Sequence, residues 1–207
     1  MGNLQHHESQ RLVFMHKIIS FGASTAYGAR DYEKQGFLFR IVEALSADGE
    51  FEAINYGKIG DSTRDMLVRL ASLEIPVGAT VIVTLGINDV CRIGEENENR
   101  VPIEEHRSNL MGILEHLKTC SRPVYMSQYP VDYAQCALSE AVVASYIDAG
   151  LDVAGQLDVP VIDIYAAVQT SGRYDEMIFK DGLHFNHRGH QFIAGQTLAF
   201  FENNHWF

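Results

Sequence analysis

Short, nearly continuous apolar runs alternate along this chain with longer segments whose apolar residues recur at helical spacing. No other feature limits the possible folds so tightly. The runs fall at 17–21, 51–56, 81–85, 124–127 and 159–164. They are β-rich and lack polar alternation, as expected for strands covered on both faces. Between them, 64–74 carries Met66, Leu67, Leu70 and Leu73 as one stripe, with Ser62 and Asp65 placed as a capping box. The segment 103–118 turns Leu110, Ile113, Leu114 and Leu117 inward, and two more helices are expected at 138–156 and 187–201. Strands alternating with helices predict an α/β fold, a three-layer α/β/α sandwich around a five-stranded parallel sheet.

The chain has 207 residues, enough for one domain that buries roughly 70% of its unfolded surface. That domain is read as 16–207. The polar start, 1–15, is read as a flexible extension or an expression remnant, with Met15 as an alternative initiator. It has no signal-peptide core, and no apolar run approaches the ~20 residues of a membrane span. The net charge of −11 comes without a basic stripe, which argues against nucleic-acid binding and against attraction to anionic membranes. The three cysteines, Cys91, Cys120 and Cys136, form neither a disulfide framework nor a C-x-x-C pair. Free thiols and a cytoplasmic location are expected. Cys91 follows closely on Asp89, yet no neighbouring base marks it as a nucleophile. The acidic stretch 95–98 reads as a solvated loop, with a lid as the weaker alternative.

Ligands of open α/β sheets collect beyond the carboxyl ends of the strands, and four short motifs fall there. Ser24, in Gly22-Ala23-Ser24, follows the first run; Gly60, in Gly60-Asp61, follows the second; Asn88, in Gly86-Ile87-Asn88-Asp89, follows the third. Asp181 and His184, in Asp181-Gly182-Leu183-His184, are expected after the last strand and a loop, just before the final helix. Each has a plainer reading alone: a turn serine or helix N-cap, an Asn-Asp turn, a surface histidine. Together they supply a nucleophile, oxyanion donors and an Asp–His pair, the inventory of a serine esterase. No G-x-S-x-G elbow occurs, which argues against an α/β-hydrolase. His184, His187 and His190 recur by threes, but that spacing does not set all three on one tight face, so no metal is expected.

With these blocks in this order, the chain resembles the SGNH, or GDSL-type, esterase–lipase family from Ser24 to His190. The resemblance matches Ser24, Gly60, Asn88 and His184 to the family's Ser, Gly, Asn and His, and Asp181 to the Asp of its Asp-x-x-His block. Asn55 with Gly60 keeps the spacing of the second block. The resemblance implies a flavodoxin-like sandwich and carboxylic-ester hydrolysis through an acyl-enzyme on Ser24, without metal or organic cofactor. The N–H groups of Ser24 and Gly60 and the Asn88 amide would receive the oxyanion. It also implies a small-molecule ester as partner: a short-chain acyl ester, an acetylated sugar, a thioester or a lysophospholipid. Tyr27, Phe37, Tyr129 and Tyr133 are candidates for lining its pocket, with core packing as the plainer alternative. One departure stands out: Ala23 occupies the place of the family's Asp. Two rival readings follow, an SGNH-fold binding module impaired by Ala23 and a flavodoxin-like cofactor binder. The second lacks any phosphate-binding glycine motif.

Overall fold

The β-branched and apolar runs do form strands. The computed structural model describes residues 15–33, 36–46, 50–85, 87–93 and 98–207. Seven strands form among them: β1 (His16–Gly22), β2 (Phe51–Gly57), β3 (Thr80–Thr84), β4 (Arg92–Ile93), β5 (Glu98–Asn99), β6 (Arg122–Met126) and β7 (Val161–Ile162). Five make a parallel sheet in the order β2-β1-β3-β6-β7, as expected, while β4 and β5 pair as a short antiparallel hairpin. The helices are α1 (Ser24–Tyr27), α2 (Phe37–Leu45), α3 (Thr63–Leu70), α4 (Ile103–Lys118), α5 (Glu140–Gln156), α6 (Ile164–Ser171), α7 (Tyr174–Met177) and α8 (His187–Asn203).

The period of two along each strand divides the core into two faces. Ile18, Ile82 and Val124 point to one face and meet α2, α6 and α8 through Ile41, Val168 and Ile193. Ile19, Phe21, Val81 and Val83 point to the other and meet α3, α4 and α5 through Met66, Leu110 and Val153. The result is the expected three-layer sandwich, with every side chain of β3 buried. None of the described helices is long and apolar enough to cross a membrane.

Several boundaries differ from the sequence reading. The last strand is only Val161–Ile162, because Asp163 caps α6 by accepting from the Ala166 N–H and so turns the chain out of the sheet. The link from that strand to the final helix is therefore two further helices, α6 and α7, and not a loop. The expected helix 64–74 ends at Leu70; Leu67 is exposed, and Leu73 lies beyond the helix, still packed on the core. The capping box is present, with Ser62 Oγ accepting from the Asp65 N–H and Asp65 accepting from the Ser62 N–H. Helix α4 has the expected span, with all four of its predicted inward residues fully buried. Helix α2 was not foreseen. Residues 1–14 and most of the acidic stretch 95–98 lie outside the described residues, as does Gly86.

Gly57 closes β2 where α1 crosses it. A Cβ on Gly57 would stand 2.1 Å from Tyr27 N and 2.4 Å from Ala26 C, both backbone atoms. Close approach of α1 to β2 therefore requires glycine here. Gly57→Ala is expected to lower unfolding stability by about 2–4 kcal/mol, read as a shift in the urea midpoint at unchanged slope.

Candidate active site

The sheet register sets the three first motifs on one edge. Gly22, the last residue of β1, stands opposite Gly57 of β2 and Thr84 of β3. Ser24, Gly60 and Asn88 follow these three residues on connections leaving the same carboxyl edge. Arg69 of α3 ties the connections together: Nε donates to Asp61 Oδ2 at 2.8 Å, Nη1 to Tyr56 O at 2.8 Å and Nη2 to Gly22 O at 3.4 Å. The Lys58 N–H also donates to Gly22 O.

Ser24 opens α1 and is half-buried. Among the described residues its Oγ has no hydrogen-bond partner, and the only partner of the His184 ring is Asp181. Ala23 before it is buried and offers no side-chain cap. The turn is braced by other groups instead. Ser20 Oγ donates to Ala26 O at 3.1 Å and lies 3.2 Å from Asn55 Oδ1. Asn55 Oδ1 also accepts from the Gly57 N–H at 2.8 Å, and its amide donates to Tyr27 O at 3.3 Å. Asn55 thus clamps α1 onto the end of β2.

Asp181 and His184 meet directly, with Asp181 Oδ2 3.0 Å from His184 Nδ1. Asp181 Oδ1 accepts from the backbone N–H groups of His184 and Leu183 at 3.0 and 3.1 Å. Burial pushes the Asp181 pKa up. The hydrogen bonds from the His184 backbone, the His184 ring and the Leu183 backbone outweigh it and hold the carboxyl at about 2. An ionised carboxylate only accepts, so in the neutral ring the proton sits on Nδ1 and Nε2 carries the lone pair. Arg30, at φ +69°, donates from Nε to the same Asp181 Oδ2 at 3.1 Å and lies over the Phe179 ring. His184 borders an open cavity of about 620 Å³, walled by Tyr27, Arg30, Tyr32, Phe39 and Ile59.

The Ser24 turn and the Asp181–His184 loop come from opposite ends of the sequence, and one side chain joins them. Tyr129 Oη lies 3.2 Å from Thr25 Oγ1 and accepts from the Phe185 N–H at 3.2 Å. Its ring stacks on Phe185 at 3.7 Å. Thr25 follows Ser24 and Phe185 follows His184, so the phenol fixes both neighbours at once.

The Gly60 and Asn88 connections are also joined. Gly60 adopts φ +84°, and its carbonyl accepts from Arg100 Nη1 at 2.8 Å. The Asn88 amide donates to Asp61 O at 2.8 Å, leaving its second N–H without a partner among the described residues. Beside it, buried Asp89 accepts from Thr63 N and Oγ1 at 2.8 and 2.7 Å and pairs with His106 Nδ1 at 2.6 Å. These bonds lock the 3-10 turn Ile87–Asp89 against the start of α3.

The remaining sequence candidates divide sharply. Tyr27 borders the cavity; Phe37 is core; Tyr129 is the bridge; Tyr133 lies instead on a separate groove near Tyr174. Cys91 packs in a core cluster with Val90 and Ile147, and burial pushes its thiol pKa up, away from nucleophile chemistry. His190 donates from Nε2 to Ala29 O at 2.9 Å, and burial foremost pushes its pKa down. His187 lies by Glu33 at 3.7 Å, and among the described residues no group of three or more His, Cys, Asp or Glu is arranged to hold a metal. Sequence reasoning missed Arg30, Arg69 and His106, which lie far along the chain from the residues they hold. It read Tyr129 only as a pocket candidate.

The fold agrees with the comparisons. The model of the GDSL-like lipase/acylhydrolase family matches residues 20–192, and the chain belongs to that family. It is a GDSL-type carboxylic ester hydrolase. The chain is similar to the GDSL esterase/lipase CPRD49 of Arabidopsis thaliana, 28% identical over 206 residues, with 92% of this chain and 80% of that one covered. It is 27% identical over 173 residues to the isoamyl acetate-hydrolyzing esterase 1 homolog of Homo sapiens, covering 73% and 68%. Among solved structures, the lipase/acylhydrolase from Enterococcus faecalis shares the fold at TM-score 0.78 and 24% identity, over 92% of this chain and 97% of that one. The acetyl xylan esterase AlAXEase shares it at 0.72 and 18%, over 89% and 98%.

Two outcomes are expected. Tyr129→Phe leaves the buried Phe185 N–H without its acceptor and should cost about 1–3 kcal/mol of unfolding free energy, measured by urea titration. Asp181 has its folded pKa depressed below the unfolded value near 3.8. Its contribution to stability is therefore full above about pH 4 and is lost as pH falls towards about 2. The stability difference between wild type and Asp181→Asn, on the order of 2 kcal/mol at neutral pH, should narrow across that window when denaturation is followed from pH 6 downward.

Proposed function

We propose that this enzyme cleaves its ester through an acyl-enzyme on Ser24. Ser24 Oγ attacks the carbonyl carbon as His184 Nε2 takes its proton. Asp181 holds the ring in that tautomer and stabilises the imidazolium. The oxyanion is received by the N–H groups of Ser24 and Gly60 and by the free N–H of the Asn88 amide. Collapse breaks the bond to the alcohol oxygen, which takes the proton from His184. Water, deprotonated by the same ring, adds to the acyl carbon; the bond to Ser24 Oγ then breaks, Oγ takes the proton back from His184, and the acid is released.

The observation that carries this reading is the Asp181–His184 pair at 3.0 Å beside an open cavity, with its neighbour Phe185 tied through Tyr129 to the neighbour of Ser24. The substrate classes in play are short-chain acyl esters, acetylated sugars, thioesters and lysophospholipids. The relatives' names, isoamyl acetate and acetyl xylan among them, favour short acyl groups. The rival reading, a binding module disabled by Ala23, has only that residue in its favour. The brace from Ser20 and Asn55 speaks against it.

Ser24→Ala should lower kcat/KM for p-nitrophenyl acetate by at least ~10³-fold, and a serine-directed phosphonate should add its mass to wild type alone. Folded wild type that neither turns over nor takes the label would sustain the binding-module reading. Asn88→Ala should lower kcat by about 10²–10³ with little change in KM.

A further inference from the structure

We infer that the cavity beside His184 receives the alcohol half of the ester, and that the enzyme favours esters of flat, ring-bearing alcohols. This rests on the assignment of Ser24 and His184 made above. When the tetrahedral intermediate collapses, the carbon–oxygen bond to the alcohol breaks and the proton on His184 Nε2 passes to that departing oxygen. The alcohol must therefore lie on the His184 side of the nucleophile. His184 borders the 620 Å³ cavity, as do Asn55, Gly57 and Ile59 at the end of β2 and in the turn after it. Its size suits a ring-sized group.

The walls give the chemistry. Tyr32 is 78% exposed, Ile59 59%, Tyr27 52% and Phe39 37%. They are four of the nine most exposed large apolar side chains among the described residues, and all four border this one cavity. Three separate segments bring them there: the stretch after α1, the outer side of α2 and the turn after β2. Aromatic faces left in water favour stacking against a flat partner. Asn55 and the Arg30 guanidinium add a few polar groups at the border.

The test compares esters of alcohols with similar leaving ability. kcat/KM, which reports acylation, is measured for ethyl acetate and 2-phenylethyl acetate with wild type, Ser24→Ala, Tyr32→Ala, Phe39→Ala and the remote surface control Val77→Ala. We expect 2-phenylethyl acetate to exceed ethyl acetate by about tenfold. Tyr32→Ala and Phe39→Ala should each cut the phenylethyl-to-ethyl ratio at least several-fold, and Val77→Ala should leave the ratio as it is. Ser24-dependent activity that ignores the alcohol would overturn this inference alone. Undiminished hydrolysis by Ser24→Ala would instead remove the assignment beneath it. Were neither ester turned over, 2-phenylethanol would be titrated against the protein by NMR. Binding that weakens in Tyr32→Ala supports the inference, and no binding to wild type ends it.

Discussion

A phenol buried in an apolar core must find hydrogen-bond partners or cost several kcal/mol. Tyr129 is fully buried, and burial pushes its pKa up to about 12, so it stays a protonated phenol. Its partners, Thr25 and the Phe185 N–H, belong to the Ser24 turn and to the His184 loop. The requirement to satisfy one hydroxyl therefore sets the separation of two segments that approach each other only in the folded chain. The stacked Phe185 ring adds a second constraint on the same loop. The proposed site is held together by this bridge, which ties the neighbour of Ser24 to the neighbour of His184.

The other half of the site is held by charge. Arg69 reaches Asp61, Tyr56 and Gly22, and Arg100 reaches Gly60 and Asp65. Two guanidinium groups thus fix the carbonyls and carboxylates of the Gly60 connection, where the backbone itself is left-handed. Asp89, with three donors, fixes the Asn88 turn from below. These groups touch no reacting atom. They hold still the turns that carry the proposed oxyanion donors, Gly60 and Asn88. The loss of the family's Asp at Ala23 fits the same picture, since the bracing of the Ser24 turn comes from Ser20 and Asn55 on the neighbouring strands.

Much of the fold was legible in the chain. Continuous apolar runs marked the buried strands, and helical periodicity marked α3, α4, α5 and α8, because each of these packs a broad stripe on the sheet. The capping box of α3 was visible because both of its partners lie within four residues. What escaped had a physical cause in each case. Helix α2 follows residues with no capping pattern at Gly36, β7 is cut short by the Asp163 cap, and α6 with α7 occupies a stretch read as loop. Leu67 fitted the stripe in sequence but lies at its edge.

The sequence by itself determined which groups are present for the chemistry, and on which strand ends Ser24, Gly60 and Asn88 fall, since parallel strands feed one edge and motif order follows chain order. The Asp181–His184 pairing was also local, three residues apart on one turn. Only the tertiary structure decided how these pieces are held and what they face. Tyr129, Arg69, Arg30 and His106 act across separations from 8 to 151 residues, where no spacing rule relates donor to acceptor. The cavity walls, Tyr27, Tyr32, Phe39 and Ile59, come from three segments, and their exposure is a property of how those segments pack. A side chain's identity is written in the chain; the neighbour it meets across the fold is set by packing.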